Sequence, residues 1–384
     1  MGGVPPQHGG VSAPSPAATA PRKRLLWVDV AKGLCILLVV LHHAVVKDLA
    51  VQAPPALAPV ADAWAAVTMA LKPVRMPLFF VLSGLVAAGA VTRPWSQARR
   101  RVLSPYYLYV VWLVLQGAFF SVERLLPMNR TQDLAELAGD LVWASTGLWF
   151  LYALAVYFAL ARLLSRFPRE RVLLVAAAVS ALSGLVPTEA WNRTSVLFHF
   201  TFFALGALAP DLVRRVADRV GDRARGLLPR LAVLYLALVV LLPLVHLPRT
   251  ADLLVASAVG VPLGIGLCVR LARGPAAEHL AWIGRRTLPV YVLHAPLLAL
   301  ALHLPEPLRV SPLGRGYLGW LEAAAYPVVL TVLAVGAALA LHAGLQRAGA
   351  SALFALPQRP AAGPGTGRSA RRADPAQATV AARS

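Results

Sequence analysis

The sequence predicts an all-α fold, a polytopic transmembrane helical bundle of about ten spans, and three observations predict it. Hydrophobic residues make up 58% of the 384 and charged ones only 14%, with a mean hydropathy of +0.65, more apolar than an ordinary soluble domain. The apolar residues recur in blocks of about 20, the length at which an α-helix crosses a hydrocarbon core of about 30 Å. The net charge of +20 sits in short loops between those blocks, where basic residues set topology; the placement argues against a nucleic-acid partner. Cys35 and Cys268 both fall inside apolar blocks, so no disulfide framework or zinc-ligand spacing is present and no metal is implied.

Residues 1–24 are rich in Gly, Pro, Ala and Ser, end in Arg22-Lys23-Arg24 and lack the charged start and cleavage site of a signal peptide. They are expected to be a disordered cytoplasmic lead. The first span follows at about 25–46, closed by Lys47, Asp48 and a Pro-rich loop. The second is expected at about 74–92, because extending it back to Trp64 would sink Lys72 and Arg75 in lipid; the two instead mark its entry. Further spans are expected at about 103–122, 141–161, 172–187, 196–213, 228–247, 252–270, 281–302 and 322–346, so that the membrane domain covers 25–346. Residues 347–384 are expected to form a disordered basic cytoplasmic tail near anionic headgroups. With the N-terminus inside, 27 Lys and Arg fall on the cytoplasmic side and 7 outside. That bias places both termini in the cytoplasm, and the plasma membrane is the expected location.

The first span carries the most chemistry. Lys32 and His43 are eleven residues apart, three turns plus about 20°, and so share one helix face about 16 Å apart along the axis. Asp29 joins that face, whereas His42 points about 80° away. Ionisable groups inside a span are costly and face the bundle interior or a wet cavity, which makes His43 a candidate catalytic residue. The second span contributes Met76-Pro77-Leu78-Phe79-Phe80-Val81-Leu82-Ser83-Gly84, in which the Ser-Gly pair lets helices approach closely.

Together these segments resemble the acyltransferase 3 family of integral-membrane O-acyltransferases. The resemblance rests on Asp-x-x-Lys-Gly at 29–33, a His eleven residues after the Lys, and Pro-Leu-Phe-Phe-x-x-Ser-Gly at 77–84. In order follow Arg101-Val-Leu-Ser-Pro105-Tyr106, Leu148-Trp149-Phe150-Leu151, Phe202-Phe203-Ala204-Leu205-Gly206 and Leu288-Pro-Val-Tyr291-Val-Leu-His294-Ala-Pro296. The opening is closest to the fucose 4-O-acetylase-like branch. Two positions depart from the family pattern: Ala98 stands where the first Arg of an Arg-x-x-Arg would fall, and Arg75 stands where relatives often have His.

The resemblance implies transfer of an acyl group, acetyl by expectation, from acyl-CoA to a hydroxyl of a carbohydrate or other cell-surface or secreted acceptor, with no permanently bound cofactor. It names His43 as catalytic, and a neutral imidazole suits the role of general base toward a hydroxyl. Asp29 and Lys32 are counted with it, although Lys32 has two readings, pairing with Asp29 or holding a CoA phosphate. Arg75, Ser83, Arg101, Trp149, Tyr291 and His294 are the substrate-binding candidates. Ser83 fits helix packing better than a nucleophile. His199, His246, His279, His303 and His342 fall near loops or span ends and receive no role. The rival from another class is a transporter in which Asp29, Lys32, His43 and His294 relay protons.

Overall fold

The computed structural model describes residues 25–128, 133–186, 191–304 and 316–357, together with Gly2 and Thr131. The expected N-terminal lead and the tail beyond residue 357 lie outside the described residues. Every regular element among the described residues is helical. Helix α1 (Leu26–Ala44) runs on through a π-helical turn at Val45–Leu49. Helices α2 (Ala58–Ala70) and α3 (Lys72–Val91) follow, parted only by Leu71. Then come α4 (Arg100–Val122), α5 (Leu134–Trp143), α6 (Trp149–Leu164), α7 (Arg169–Leu182) and α8 (Trp191–Leu208). The chain ends with α9 (Pro210–Asp222), α10 (Ala224–Leu241), α11 (Arg249–Leu271), α12 (Ala277–Gly284), α13 (Thr287–Ala301) and α14 (Gly316–Arg347).

Among the described residues six helices are long and apolar enough to cross a membrane: Leu26–Gln52, Pro55–Val91, Trp95–Val122, Ala224–Val245, Arg249–Leu271 and Gly319–Arg347. A seventh is added if α8 and α9, bent by 87° at their junction, count as one. The expectation of ten exceeds this because several apolar blocks fold as shorter pieces. The 141–161 block breaks at Ala144, whose φ of 50° ends α5 in a left-handed cap. The 281–302 block breaks at Arg285 and Arg286 into α12 and α13. The resulting α6, α7 and α13 have 16, 14 and 15 residues, about 21–24 Å of helix against a core of about 30 Å.

Two further expectations are corrected. The stretch between the Pro-rich loop and the second span expected at about 74–92 forms α2, whose Ala-rich sequence favours helix. The expected tail is packed at its start: Trp112 Nε1 donates to the Leu353 carbonyl at 2.7 Å, and the Phe354 ring lies 5.7 Å from the Trp112 ring.

Glycines decide which helices touch. A Cβ built on Gly33 would fall within van der Waals contact of the Leu280 carbonyl, and one on Gly284 would do the same to the Asp29 carbonyl. Backbone therefore meets backbone where α1 crosses α12. The same reciprocity joins α3 to α8, with Gly84 against the Phe203 carbonyl and Gly206 against that of Val81. Small residues permit such approaches where lipid offers helices no hydrophobic drive to associate. Val233, Leu236, Val240 and Leu241 of α10 remain exposed, as suits a helix facing lipid.

Replacing Gly284 or Gly206 by Ala forces two backbones apart and is expected to cost about 1–3 kcal/mol. Gly117, with nothing near its would-be Cβ, is the control: Gly117→Ala is expected to be neutral or to stabilise by up to about 1 kcal/mol. Thermal unfolding of the three variants in detergent checks the contrast; equal Tm values for all three would refute it.

Candidate active site

Two cavities adjoin in the bundle. The first, of about 550 Å³, is lined by His42, His43, Lys47, Lys72, Arg75, Trp149 and His199 among others. The second, of about 490 Å³, is lined by Lys32, Ser83, Arg100, Arg101 and Ser104 among others. Phe79, Phe150 and Tyr291 line both and so form the partition between them. Phe79 and Phe150 stack with centroids 4.9 Å apart and planes 6° from parallel, and the Tyr291 ring stands 5.4 Å from Phe150. The Tyr291 hydroxyl donates to the Gly147 carbonyl at 2.8 Å and accepts from the Phe150 amide at 3.2 Å. It thus satisfies an N–H that the first turn of α6 leaves without a helical partner.

In the first cavity His43 and His294 meet directly, His294 Nε2 lying 3.1 Å from His43 Nδ1. The other ring nitrogen of His294, Nδ1, lies 2.6 Å from the Tyr291 carbonyl. A carbonyl can only accept, so Nδ1 of His294 carries hydrogen and, in the neutral ring, Nε2 presents a lone pair. The contact is then a hydrogen bond donated by His43 Nδ1. Proton positions follow here from the partners of each nitrogen. In that arrangement the basic lone pair of His43 is on Nε2, and His294 both orients the ring and fixes its tautomer.

The structure therefore brings His43, His294, Tyr291, Trp149 and Arg75 together around one cavity. Arg75 is buried, 4% exposed, and donates from Nη1 to the Thr68 carbonyl at 2.8 Å; it turns into protein instead of marking an entry from lipid. Lys32 and Arg101 line the second cavity with Ser83, whose hydroxyl donates to the Phe79 carbonyl one turn back at 2.8 Å. Asp29 lines neither. It is buried, its Oδ2 3.9 Å from Arg285 Nη1, and borders a small pocket shared with Lys32 and Arg101. The polar ladder on α1 thus divides, with His43 serving one cavity and Lys32 the other. Ala98 is buried, while Arg99 and Arg100 are exposed beside it.

Sequence reasoning passed over several residues of the first cavity. A span beginning at 196 would leave His199 near its end, but α8 starts at Trp191 and carries His199 two turns in. Its Nδ1 donates to the Ser195 carbonyl at 2.7 Å and its ring lies 5.1 Å from Phe80 and 5.5 Å from Trp149. An imidazole among Phe198, Phe200 and Phe202 was the available signal. His42 also reaches the cavity, its ring 5.5 Å from that of His43 and its buried Nδ1 without a hydrogen-bond partner among the described residues. Asn192 ties the 144–148 loop over the cavity by donating to the carbonyls of Ser145 at 2.6 Å and Thr146 at 2.8 Å. The π-helical turn, a feature frequent at functional sites, begins two residues after His43, and Lys47 within it donates to the Pro127 carbonyl at 2.5 Å.

Comparison with known proteins supplies the lineage. A family model described as an acyltransferase domain matches residues 25–343. The inner membrane protein YcfT of Escherichia coli (strain K12) is 29% identical over 202 residues, covering 48% of this chain and 56% of that protein. The nodulation protein NolL of Mesorhizobium japonicum (strain LMG 29417 / CECT 9101 / MAFF 303099) is 25% identical over 201 residues, covering 50% of this chain and 49% of that protein. The chain spans about half the length of these relatives. No solved structure matches it. Since the matched residues run from the start of α1 almost to the end of α14, through both cavities and the imidazole pair, the chain belongs to the acyltransferase 3 family of multi-pass membrane proteins.

Proposed function

We propose that this chain is a plasma-membrane O-acyltransferase that moves an acetyl group from acetyl-CoA to a hydroxyl of a carbohydrate or other cell-surface or secreted acceptor, with His43 as the base. The observation that carries the proposal is the His43–His294 hydrogen bond inside a cavity that meets a second, arginine-bordered cavity at a thin aromatic partition. The excess of basic residues in the loops expected to be cytoplasmic favours an orientation with both termini inside. In that orientation the cavity of Lys32, Arg100 and Arg101 faces the cytosol, where these cations suit the phosphates of CoA. The cavity of His43 then faces outward to receive the acceptor.

The transfer balances as follows. The acceptor hydroxyl gives its proton to Nε2 of His43 as its oxygen bonds to the thioester carbonyl carbon. Positive charge on the imidazolium is shared along the Nδ1–H bond to His294, whose own Nδ1–H is held by the Tyr291 carbonyl. The tetrahedral intermediate collapses with cleavage of the C–S bond, and the CoA thiolate takes up the proton. Placing the two substrates on either side of Phe79, Phe150 and Tyr291 turns a bimolecular encounter into a fixed approach. The stacked rings also limit the acyl chain that passes between the cavities, which favours acetyl.

Radiolabelled acetyl-CoA supplied to membranes containing the chain, with a mixed hydroxyl-acceptor extract, is expected to label an acceptor. His43→Ala is expected to lower that rate about 10²–10⁴-fold with normal insertion; equal rates would remove His43 from the mechanism, and substrate accumulation without CoA release would favour a transporter. His294 is a positioning residue. His294→Gln keeps an acceptor for the His43 Nδ1–H, so it is expected to retain more kcat than His294→Leu, which also alters the pH profile; equal losses in both would contradict the role. Phe150→Ala is expected to raise the rate with butyryl-CoA relative to acetyl-CoA at least tenfold. An unchanged ratio would show that the partition does not set chain length.

A further inference from the structure

The cavity that holds His43 is charged in a way its chemistry with a neutral sugar does not require. Lys47, Lys72 and Arg75 line it, and no Asp or Glu does so among the described residues. A smaller pocket of about 280 Å³ continues from it past Lys72, Ser195 and His199 and adds Arg249, again with no lining carboxylate among the described residues. Lys72 and Arg75 sit one turn apart on α3, and Lys72 lines the smaller pocket together with Arg249. The Thr68 carbonyl occupies one guanidinium N–H of Arg75, out of about five such donors.

Like charges held inside a membrane protein repel one another at low dielectric and lose hydration, a cost that an anionic ligand relieves. A cationic lining for CoA is already present on the other side of the partition, at Lys32, Arg100 and Arg101. The cations beside His43 therefore fall to the other substrate. We infer that the acceptor of this chain is an anion, a hydroxyl compound bearing a carboxylate or a phosphate group that Lys72 and Arg75 hold while its hydroxyl reaches His43. Trp149 and His199, 5.5 Å apart, give the same cavity flat faces for the acceptor's carbon skeleton. The inference rests on the acyltransferase reading for the hydroxyl's fate, but the anion site itself stands on Lys72 and Arg75.

The test uses the full chain in membranes with radiolabelled acetyl-CoA and a cell-envelope extract as acceptor, the products being separated by anion exchange at pH 7. Label is expected in the retained fraction. Loss of retention after phosphatase identifies a phosphate, and loss after carbodiimide amidation identifies a carboxylate. Lys72→Gln and Arg75→Gln are each expected to raise the acceptor KM tenfold or more with the acetyl-CoA KM unchanged, and Lys72→Arg is expected to restore most of it. Label in the unretained fraction, or a rise in the acetyl-CoA KM instead, overturns the inference. A second measurement separates failure of the anion site from failure of the acyltransferase reading: thermal stabilisation of the purified chain by glucuronate and glucose 1-phosphate against glucose. Stabilisation by the anions alone, lost in Lys72→Gln, with no labelled product in any fraction, keeps the anion site and overturns acyl transfer. Equal stabilisation by glucose, or none by either anion, overturns the anion site.

Discussion

The arrangement depends on the backbone contact between α1 and α12. Gly33 and Gly284 each lie where a side chain would strike the other helix, so the two strands of chain meet without an intervening layer. From that contact the chain rises ten residues to His43 along α1 and ten residues to His294 across the Arg285–Arg286 break and along α13. Paths of equal residue number from a common origin bring the two imidazoles into contact, about 15 Å from Gly33 along the continuous helix α1. The glycine of Asp-x-x-Lys-Gly is thereby explained without assigning it any chemistry. It sets the register of the imidazole pair.

Much of this was legible in the sequence and part was not. Periodicity and block length identified α1 and the membrane character, because a polar ladder on an apolar helix has few explanations. His43 stood out for the same reason. The partner of His43 was less visible, since His294 lies 251 residues away and its depth depended on where the 281–302 block breaks. That break at Arg285 and Arg286 places His294 at mid-helix in α13. The expected placement of Arg75 at the span's entry is overturned because hydropathy treats a span as facing lipid, whereas α3 turns this residue toward the Thr68 carbonyl and the cavity. The π-helical turn after His43 and the left-handed Ala144 carried no sequence signal: neither segment has a Gly or Pro where the backbone departs from the regular helix.

The aromatic partition reconciles two demands that conflict in most sites. On the proposed function, a thioester and an aqueous acceptor must meet, yet water must not compete for the acyl group. Stacked Phe79 and Phe150 keep the cavities apart with apolar surface, while Tyr291 fastens that surface to the start of α6 through two backbone bonds. The same tyrosine presents its carbonyl to His294. One residue of α13 therefore holds both the partition and the His294 ring that meets His43.

Charge completes the division of labour. The two cavities are both cationic but differ in how their cations are held: Arg100 and Arg101 are exposed at the border of one, whereas Arg75 is buried beside the other. Exposed arginines can release a phosphate-rich ligand readily because water and salt screen them. A buried guanidinium with no carboxylate lining its cavity among the described residues interacts with an anion far more strongly, and its donors are fixed before the ligand arrives. On the proposed function, selectivity is expected to reside on the acceptor side, where Arg75 and Lys72 stand on the same helix as Phe79 of the partition, about one and two turns before it.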